Sequence, residues 1–400
     1  MNENIRPVES KTLLAFLGVL ATLVLLSPLL KPVQAQTSPE RSFVQTPYPR
    51  IAMLWAPVRG DRSIASMARH DLIMAGSGSF GLVYDGKPTG EADGFTDQSE
   101  SIARDRIAEI RRINPDAVII GDLLFYEYPD DWLPEDHPWW LRRDGERQQF
   151  WPGTHRMDWN RTDYRAHVVK QTVALQKIGF DGVFYDNVRN EPEPWTAFLT
   201  EIRKEVGNDF LLFLNVGYAI GEYDFVAPFV NGIMYESGWS HDRTEWETAV
   251  QEMQHTQSLL MEPRISLIER FEEIRSHAGW PGDPQRGQKP PDDPQARRWS
   301  LAFSLAIGDF YYLFSDNTSH RHDWYPEYDE KIGLPVGPST RLNPFVWSRK
   351  YERALVVVNL PGSPESYEIE LAGNARNSLT GKTGNRFSVP SGDGAILIVE

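Results

Sequence analysis

Cysteine is missing from this 400-residue chain altogether, which excludes disulfides, thiolate chemistry and a cysteine-linked lipid anchor. Basic residues are outnumbered, 41 Lys and Arg against 56 Asp and Glu, for a formal net charge of −15. A nucleic-acid partner needs clustered cations, so neutral polymers fit better. No G-x-S-x-G occurs, because Gly76-Ser77-Gly78-Ser79-Phe80 lacks the final glycine, and no phosphate-binding glycine loop is present. His320, His322 and Asp323 form an H-x-H-D cluster, but nothing else has the ligand spacing of a zinc site. An exposed polar loop is expected there, with no metal and no cofactor. There is no internal repeat beyond strand–helix alternation and no low-complexity tract.

Aromatics are plentiful: 13 Trp and 15 Tyr exceed what a core alone needs, and aromatic faces in a cleft can hold sugar rings. At the N-terminus, Arg6 and Lys11 precede the apolar run Leu13 to Leu30, and Val33-Gln34-Ala35 supplies small residues before Gln36. This reads as a signal peptide over residues 1–35, for a secreted or periplasmic protein. An N-terminal membrane anchor is the alternative, and Pro28 favours cleavage. Residues 36–48 read as a flexible lead.

The organising stretch is Gly179-Phe180-Asp181-Gly182-Val183-Phe184-Tyr185-Asp186-Asn187, a buried strand that stops abruptly at two polar residues. Helical spacing over Thr162 to Lys177 and over Pro194 to Val206 brackets it, the pattern of βαβ units. A carboxylate where a parallel strand stops lies where active sites form, so Asp186 is the first catalytic candidate, with helix or loop capping the bland alternative. Asp181, at the strand's other end, reads as a structural turn residue.

In chain order the remaining strands are Ile51 to Trp55, Asp71 to Ala75, Ala117 to Asp122, Phe210 to Val216, Gly232 to Glu236, Arg264 to Ile268 with Glu269 behind it, and Asp309 to Phe314 with Asp316. That makes eight. Their ends carry Asp122, Asp186, Asn215, Glu236, Glu269 and Asp316, a ring of polar groups that a purely structural sheet does not require. Residues 123 to 160 form an excursion rich in Trp, too long for a simple connection and suited to building a cleft. Beyond Tyr351, short strands over Ala354 to Asn359, Ser366 to Leu371, Asn377 to Thr380, Arg386 to Val389 and Ala395 to Val399 read as a small antiparallel β unit. The expected fold is α/β, a (β/α)₈ barrel over residues 49–345 followed by a small antiparallel β-sandwich domain over 346–400 that braces it.

Glycoside hydrolysis needs two carboxyl groups across the scissile bond, about 5–5.5 Å apart for retention and roughly 6.5–9.5 Å for inversion. Asp186 and Glu236 are the candidate pair, Asp186 as nucleophile and Glu236 as general acid/base, with swapped roles left open. Asp122, Asn187, Asn215, Glu269 and Asp316 are candidates for hydrogen bonds to sugar hydroxyls, and Trp55, Tyr185, Trp239 and Trp324 for ring stacking. Arg189 reads as solvated.

The organising stretch, preceded by Met157-Asp158-Trp159-Asn160 at a helix start, resembles glycosyl-hydrolase-like TIM-barrel proteins. So do Trp324-Tyr325-Pro326-Glu327-Tyr328, Ile332-Gly333-Leu334-Pro335, Val346-Trp347-Ser348-Arg349 and Val357-Val358-Asn359. The resemblance covers most of residues 50 to 400. It implies a barrel with a β-sandwich tail and a carboxylate hydrolase site, in which a strand-four Asp is the nucleophile and a strand-six carboxylate the acid/base. The functional expectation is a secreted glycosidase acting on an oligo- or polysaccharide. A barrel that binds envelope or matrix glycan without cleaving it, and transglycosylation in the same site, are the alternatives.

Overall fold

The computed structural model describes residues 46–59, 61–217, 221–236, 246–272, 283–284 and 288–399. Eight parallel strands lie side by side in chain order: β1 Ala52–Leu54, β2 Leu72–Gly76, β3 Val118–Asp122, β4 Gly182–Tyr185, β5 Leu211–Asn215, β6 Gly232–Tyr235, β7 Leu267–Phe271 and β8 Tyr311–Ser315. A parallel bridge from Ile51 to Tyr312 closes the ring, with the Tyr312 amide donating to the Arg50 carbonyl at 2.9 Å. The fold is a (β/α)₈ barrel.

Alternation along each strand decides what points where. Leu54, Met74, Ile120, Phe184, Phe213, Met234, Leu267 and Leu313 fill the interior. Their neighbours Met53, Ile73, Ile119, Tyr185, Leu212, Tyr235, Ile268 and Tyr312 face the helical layer. That layer comprises α1 Ile64–Met67, α2 Asp97–Ile113, α3 Thr162–Ile178, α4 Pro192–Val206, α5 Trp246–Leu259 and α6 Pro294–Ile307, with α7 Pro326–Asp329 beyond β8 and a single 3₁₀ turn, Ala227–Phe229, between β5 and β6. Ser63 caps α1 and Thr96 caps α2, so both helices start where a side-chain oxygen takes up a free amide. Asp181 accepts from Arg111 Nη2 at 2.6 Å and from the Ile119 amide at 2.8 Å, tying the foot of β4 to α2 and β3.

Strand seven starts three residues later than Arg264 and contains Glu269 as its third residue. Glu269 is therefore inside the strand, one layer below its end.

The C-terminal part is one antiparallel sheet of β9 Thr340–Arg341, β10 Val346–Lys350, β11 Ala354–Asn359, β12 Tyr367–Asn377, β13 Thr383–Val389 and β14 Asp393–Val399, in the order β9-β10-β11-β14-β12-β13. The expected strands Ser366 to Leu371 and Asn377 to Thr380 are instead one long strand, β12, and a turn. A register shift lies between Glu370 and Ala375; β12 pairs with β13 on both sides of it, and from Ala375 to Asn377 it pairs with β14 as well. One face of the sheet (Val356, Val358, Ile396, Ile398) belongs to the barrel's outer core, and the other encloses its own core of Val357, Phe387, Val389 and Leu397. A two-pronged Arg298–Asp393 ion pair (3.0 and 2.6 Å) and a 2.9 Å bond from the Tyr351 hydroxyl to the Leu305 carbonyl fasten the sheet to α6.

Gly182 opens β4 because a side chain there has no room: an added Cβ would stand 2.7 Å from the Leu211 Cβ on the next strand. Gly182→Ala should cost about 3 kcal/mol by overpacking, read as a lower urea midpoint by tryptophan fluorescence. An unchanged midpoint would mean that β4 and β5 are not packed as described.

Candidate active site

Each polar strand-end residue continues an inward-facing series. Asp122 follows Val118 and Ile120, Asp186 follows Phe184, Asn215 follows Leu211 and Phe213, Glu236 follows Met234, and Glu269 follows Leu267. Five polar side chains therefore converge on the C-terminal mouth of the barrel.

Asn215 is at the centre of the group. Its Nδ2 donates to Asp186 Oδ1 at 2.8 Å and to Glu236 Oε2 at 3.2 Å. Since one nitrogen touches both, those two oxygens are no farther apart than the two distances end to end, 6.0 Å. Asn215 is itself fixed by its Oδ1, which accepts from the Gly217 amide at 2.7 Å. On the other side of Asp186, Asn187 Nδ2 donates to Asp186 Oδ2 at 3.0 Å and to Glu127 Oε1 at 3.2 Å. Asn187 holds a left-handed backbone, φ 61°, a conformation that Asn tolerates better than most residues.

Glu269 is fully buried, and its Oε1 accepts from Ser315 Oγ at 2.6 Å and lies 2.9 Å from His320 Nδ1. Among the described residues its Oε2 has no hydrogen-bond partner. The His320 ring stands edge-on to Trp55, centroids 4.8 Å apart, and the Trp55 indole N–H donates to Asp122 Oδ2 at 2.9 Å. Trp55 and His320 line a cavity of about 370 Å³ with Ala56, Arg62, Thr318, Ser319 and Arg321.

Burial dominates the acid–base behaviour of the mouth, because a carboxylate taken out of water prefers its proton. Burial, reinforced by the charge of Asp186, pushes Asp122 up to about 7. Glu127 goes to about 8 by burial with Asp186 and Asp122 nearby. Glu236 goes to about 7 by burial, with His320 pulling it down and Glu269 and Asp186 pushing it up. Asp186 is raised by burial too, against the opposing pull of the Asn187 backbone N–H, the Asn215 amide and the charges of His320 and Arg189. Burial alone would lower His320, but Glu269, Glu236 and Asp186 outweigh it and hold the imidazolium.

Three expected site residues lie elsewhere, Tyr185 and Asp316 for reasons of parity. Tyr185 faces outward, fully buried among Phe125 and Phe198, with its hydroxyl on Thr172, so it offers no ring to a ligand. Asp316 falls one residue past the inward slot, which Ser315 takes, and forms an ion pair with Arg59 Nη1 at 2.7 Å. Trp324 is engaged outside the mouth, under the Arg69 guanidinium (4.0 Å) and bonded to Asp329. Trp239 lies outside the described residues. Arg189 is exposed and lies over the Tyr126 and Phe150 rings.

The H-x-H-D segment is not an exposed loop. His320 and His322 are 4% and 1% exposed, and His322 Nε2 meets His70 Nε2 at 2.9 Å in a neutral pair, with burial lowering both pKa values, to about 4 and about 3. Glu236, Glu269 and His320 each offer a ligand atom within 4.8 Å of the others. Among the described residues, this trio is where a cation would find donors, although the His320–Glu269 bond already occupies two of them. Glu127 was not foreseen from the sequence. It sits in a two-stranded piece of the excursion, Glu127–Pro129 against Thr154–Arg156, and its one signal is a lone acid inside the aromatic run Phe125-Tyr126-Glu127-Tyr128.

No family model and no curated protein matches the sequence. Among solved structures, the chain is similar to Eubacterium rectale Amy13B (10% identity, 89% of this chain and 97% of that one, TM-score 0.53). It is also similar to the noncanonic maltogenic alpha-amylase AmyB from Thermotoga neapolitana (11% identity, 86% and 94%, TM-score 0.52). A third is the cyclic alpha-maltosyl-(1→6)-maltose hydrolase from Arthrobacter globiformis (12% identity, 86% and 91%, TM-score 0.51). The likeness is one of fold, a barrel with a C-terminal β domain.

Asp122, Glu127 and Glu236 bind protons in the folded chain that the unfolded chain has released. Their stabilising contribution is whole below the unfolded value, about 4, and is lost as pH rises through about 7 to 8. Unfolding free energy should therefore fall by several kcal/mol between pH 5.5 and pH 8.5, and Glu127→Gln should narrow that drop. Equal urea midpoints at the two pH values would show that these acids are not proton-bound in the fold.

Proposed function

We propose that the chain is a glycoside hydrolase that cleaves an oligo- or polysaccharide with retention, Asp186 acting as nucleophile and Glu236 as general acid and base. The observation that carries this reading is the shared Asn215 nitrogen. Its 6.0 Å ceiling on the oxygen separation lies below the roughly 6.5–9.5 Å of inverting pairs and admits the about 5–5.5 Å of retaining ones. The names of two proteins sharing the fold, a maltogenic alpha-amylase and a maltosyl-maltose hydrolase, agree with a carbohydrate substrate. The charged-then-apolar N-terminal segment supports export to the periplasm or medium.

The roles follow from the donors. Asp186 receives an amide N–H on each oxygen, from Asn215 and from Asn187, and each donor favours the ionised form. Glu236 receives one longer bond, 3.2 Å, and its proton is held up to about 7. Ionised Asp186 attacks the anomeric carbon while Glu236 passes its proton to the leaving glycosidic oxygen, giving a glycosyl ester on Asp186. Glu236, now a carboxylate, takes a proton from water, whose oxygen displaces Asp186 and restores both groups.

Release of reducing ends from a panel of α- and β-linked polysaccharides should fall roughly 10³-fold in both Asp186→Asn and Glu236→Gln. Because Glu236 must carry its proton, turnover should fall as pH rises through about 7. Wild type that releases nothing, yet binds one glycan as well as Asp186→Asn does, would sink the enzyme and leave a glycan-binding barrel.

A further inference from the structure

Asp186 is flanked twice by the same device. Asn215 joins one of its oxygens to Glu236, and Asn187 joins the other to Glu127. The second link is nearly as short as the first, 3.0 and 3.2 Å. Glu236 comes from the β6 side of β4 and Glu127 from the β3 side. The hydrolytic mechanism uses Glu236 and leaves Glu127 without a task. A structural role explains Glu127 poorly, because it is 7% exposed and, among the described residues, its side-chain hydrogen bonds all run to the one Asn187 nitrogen, 3.2 and 3.4 Å away. A buried carboxyl group held by a single shared amide N–H donor group beside a reactive carboxylate is poised for a ligand.

Resting on the glycosidase reading, we infer that Glu127 is a further substrate-binding residue, contacting a hydroxyl of the sugar ring seated over Asp186 on the side away from Glu236. Its environment suits a donor rather than an acceptor. Burial and the charges of Asp186 and Asp122 outweigh the opposing pull of exposed Arg189 and the Asn187 amide, so it keeps its proton to about pH 8. An O–H aimed at a sugar hydroxyl leaves Asn187 free to hold both carboxyl groups. Asp122, whose Oδ1 has no hydrogen-bond partner among the described residues, offers a second polar atom at the end of β3.

The test uses the full chain and two readouts. In the Asp186→Asn protein, which holds glycan without turning it over, calorimetric affinity is measured for soluble oligosaccharides of glucose, galactose and their 2-acetamido derivatives. In the active protein, kcat and KM are measured on whichever polysaccharide is cleaved. Glu127→Ala should weaken oligosaccharide binding roughly 10- to 100-fold and lower kcat/KM by a similar factor. Glu127→Gln, whose amide still donates, should stay within about fivefold on both. Melting temperatures establish that each variant is folded. Alanine and glutamine variants both within twofold of the parent would overturn the inference. So would a Glu127→Gln turnover loss near 10³-fold restored by azide, which would make Glu127 the proton donor instead. If wild type cleaves nothing but binding to Asp186→Asn still drops with Glu127→Ala, the hydrolase reading fails and Glu127 stands as a binding residue. No binding to any oligosaccharide overturns both.

Discussion

Everything in this molecule's mouth depends on the two-residue period of a closed parallel barrel. With Phe184, Phe213, Met234 and Leu267 filling the interior, the residues two steps further along must also point inward. In this chain those residues are Asp186, Asn215, Glu236 and Glu269. The apolar layer below gives them a floor that water does not reach, and that floor raises the proton affinity of the acids above it.

Crowding acids in such a place has a charge problem. Five carboxyl groups, Asp122, Glu127, Asp186, Glu236 and Glu269, share a small volume, and ionising all of them would be prohibitive. Protons on Asp122, Glu127 and Glu236 reduce the charge near neutral pH. The His320 imidazolium and the amides of Asn187 and Asn215 offset what remains. The amides matter most for function because they act unequally. Asp186 accepts from both, and each donor favours its ionised form, while Glu236 accepts one longer bond and holds its proton up to about 7. On the proposed mechanism, a nucleophile and an acid arise from two carboxyl groups a few ångströms apart, with the difference set by hydrogen-bond donors.

Much of this was legible in the residues. Eight short apolar runs with helical spacing between them are the trace of a barrel, and acids at the ends of those runs gather at one mouth of it. Parity was the part misread. Tyr185 and Asp316 were grouped with the site by closeness to a strand end, yet each is one residue out of step with its inward neighbours, Asp186 and Ser315. Counting in twos from a strand's apolar core would have excluded both. Burial of the His320–His322 segment was not legible, since its partners, Glu269 and His70, lie about 50 and 250 residues away in sequence.

Glu127 shows where a strand-by-strand reading stops. It belongs to the excursion between β3 and α3, where no period relates a residue to the barrel axis. What places it is the packing of that excursion. The Tyr164 hydroxyl donates to the Phe125 carbonyl at 2.6 Å, Phe125 stacks on Phe198 of α4 at 4.1 Å, and the Met157 amide donates to the Tyr126 carbonyl at 2.9 Å. Trp140 and Trp159, two of the excursion's tryptophans, are 2% and 1% exposed and fill this packing. The excursion's aromatics therefore act on the site indirectly, as the rigid support that delivers one acid to the edge of Asp186. An insertion built this way can change which hydroxyl is recognised without disturbing the strand-borne pair, which is how a barrel separates its chemistry from its specificity.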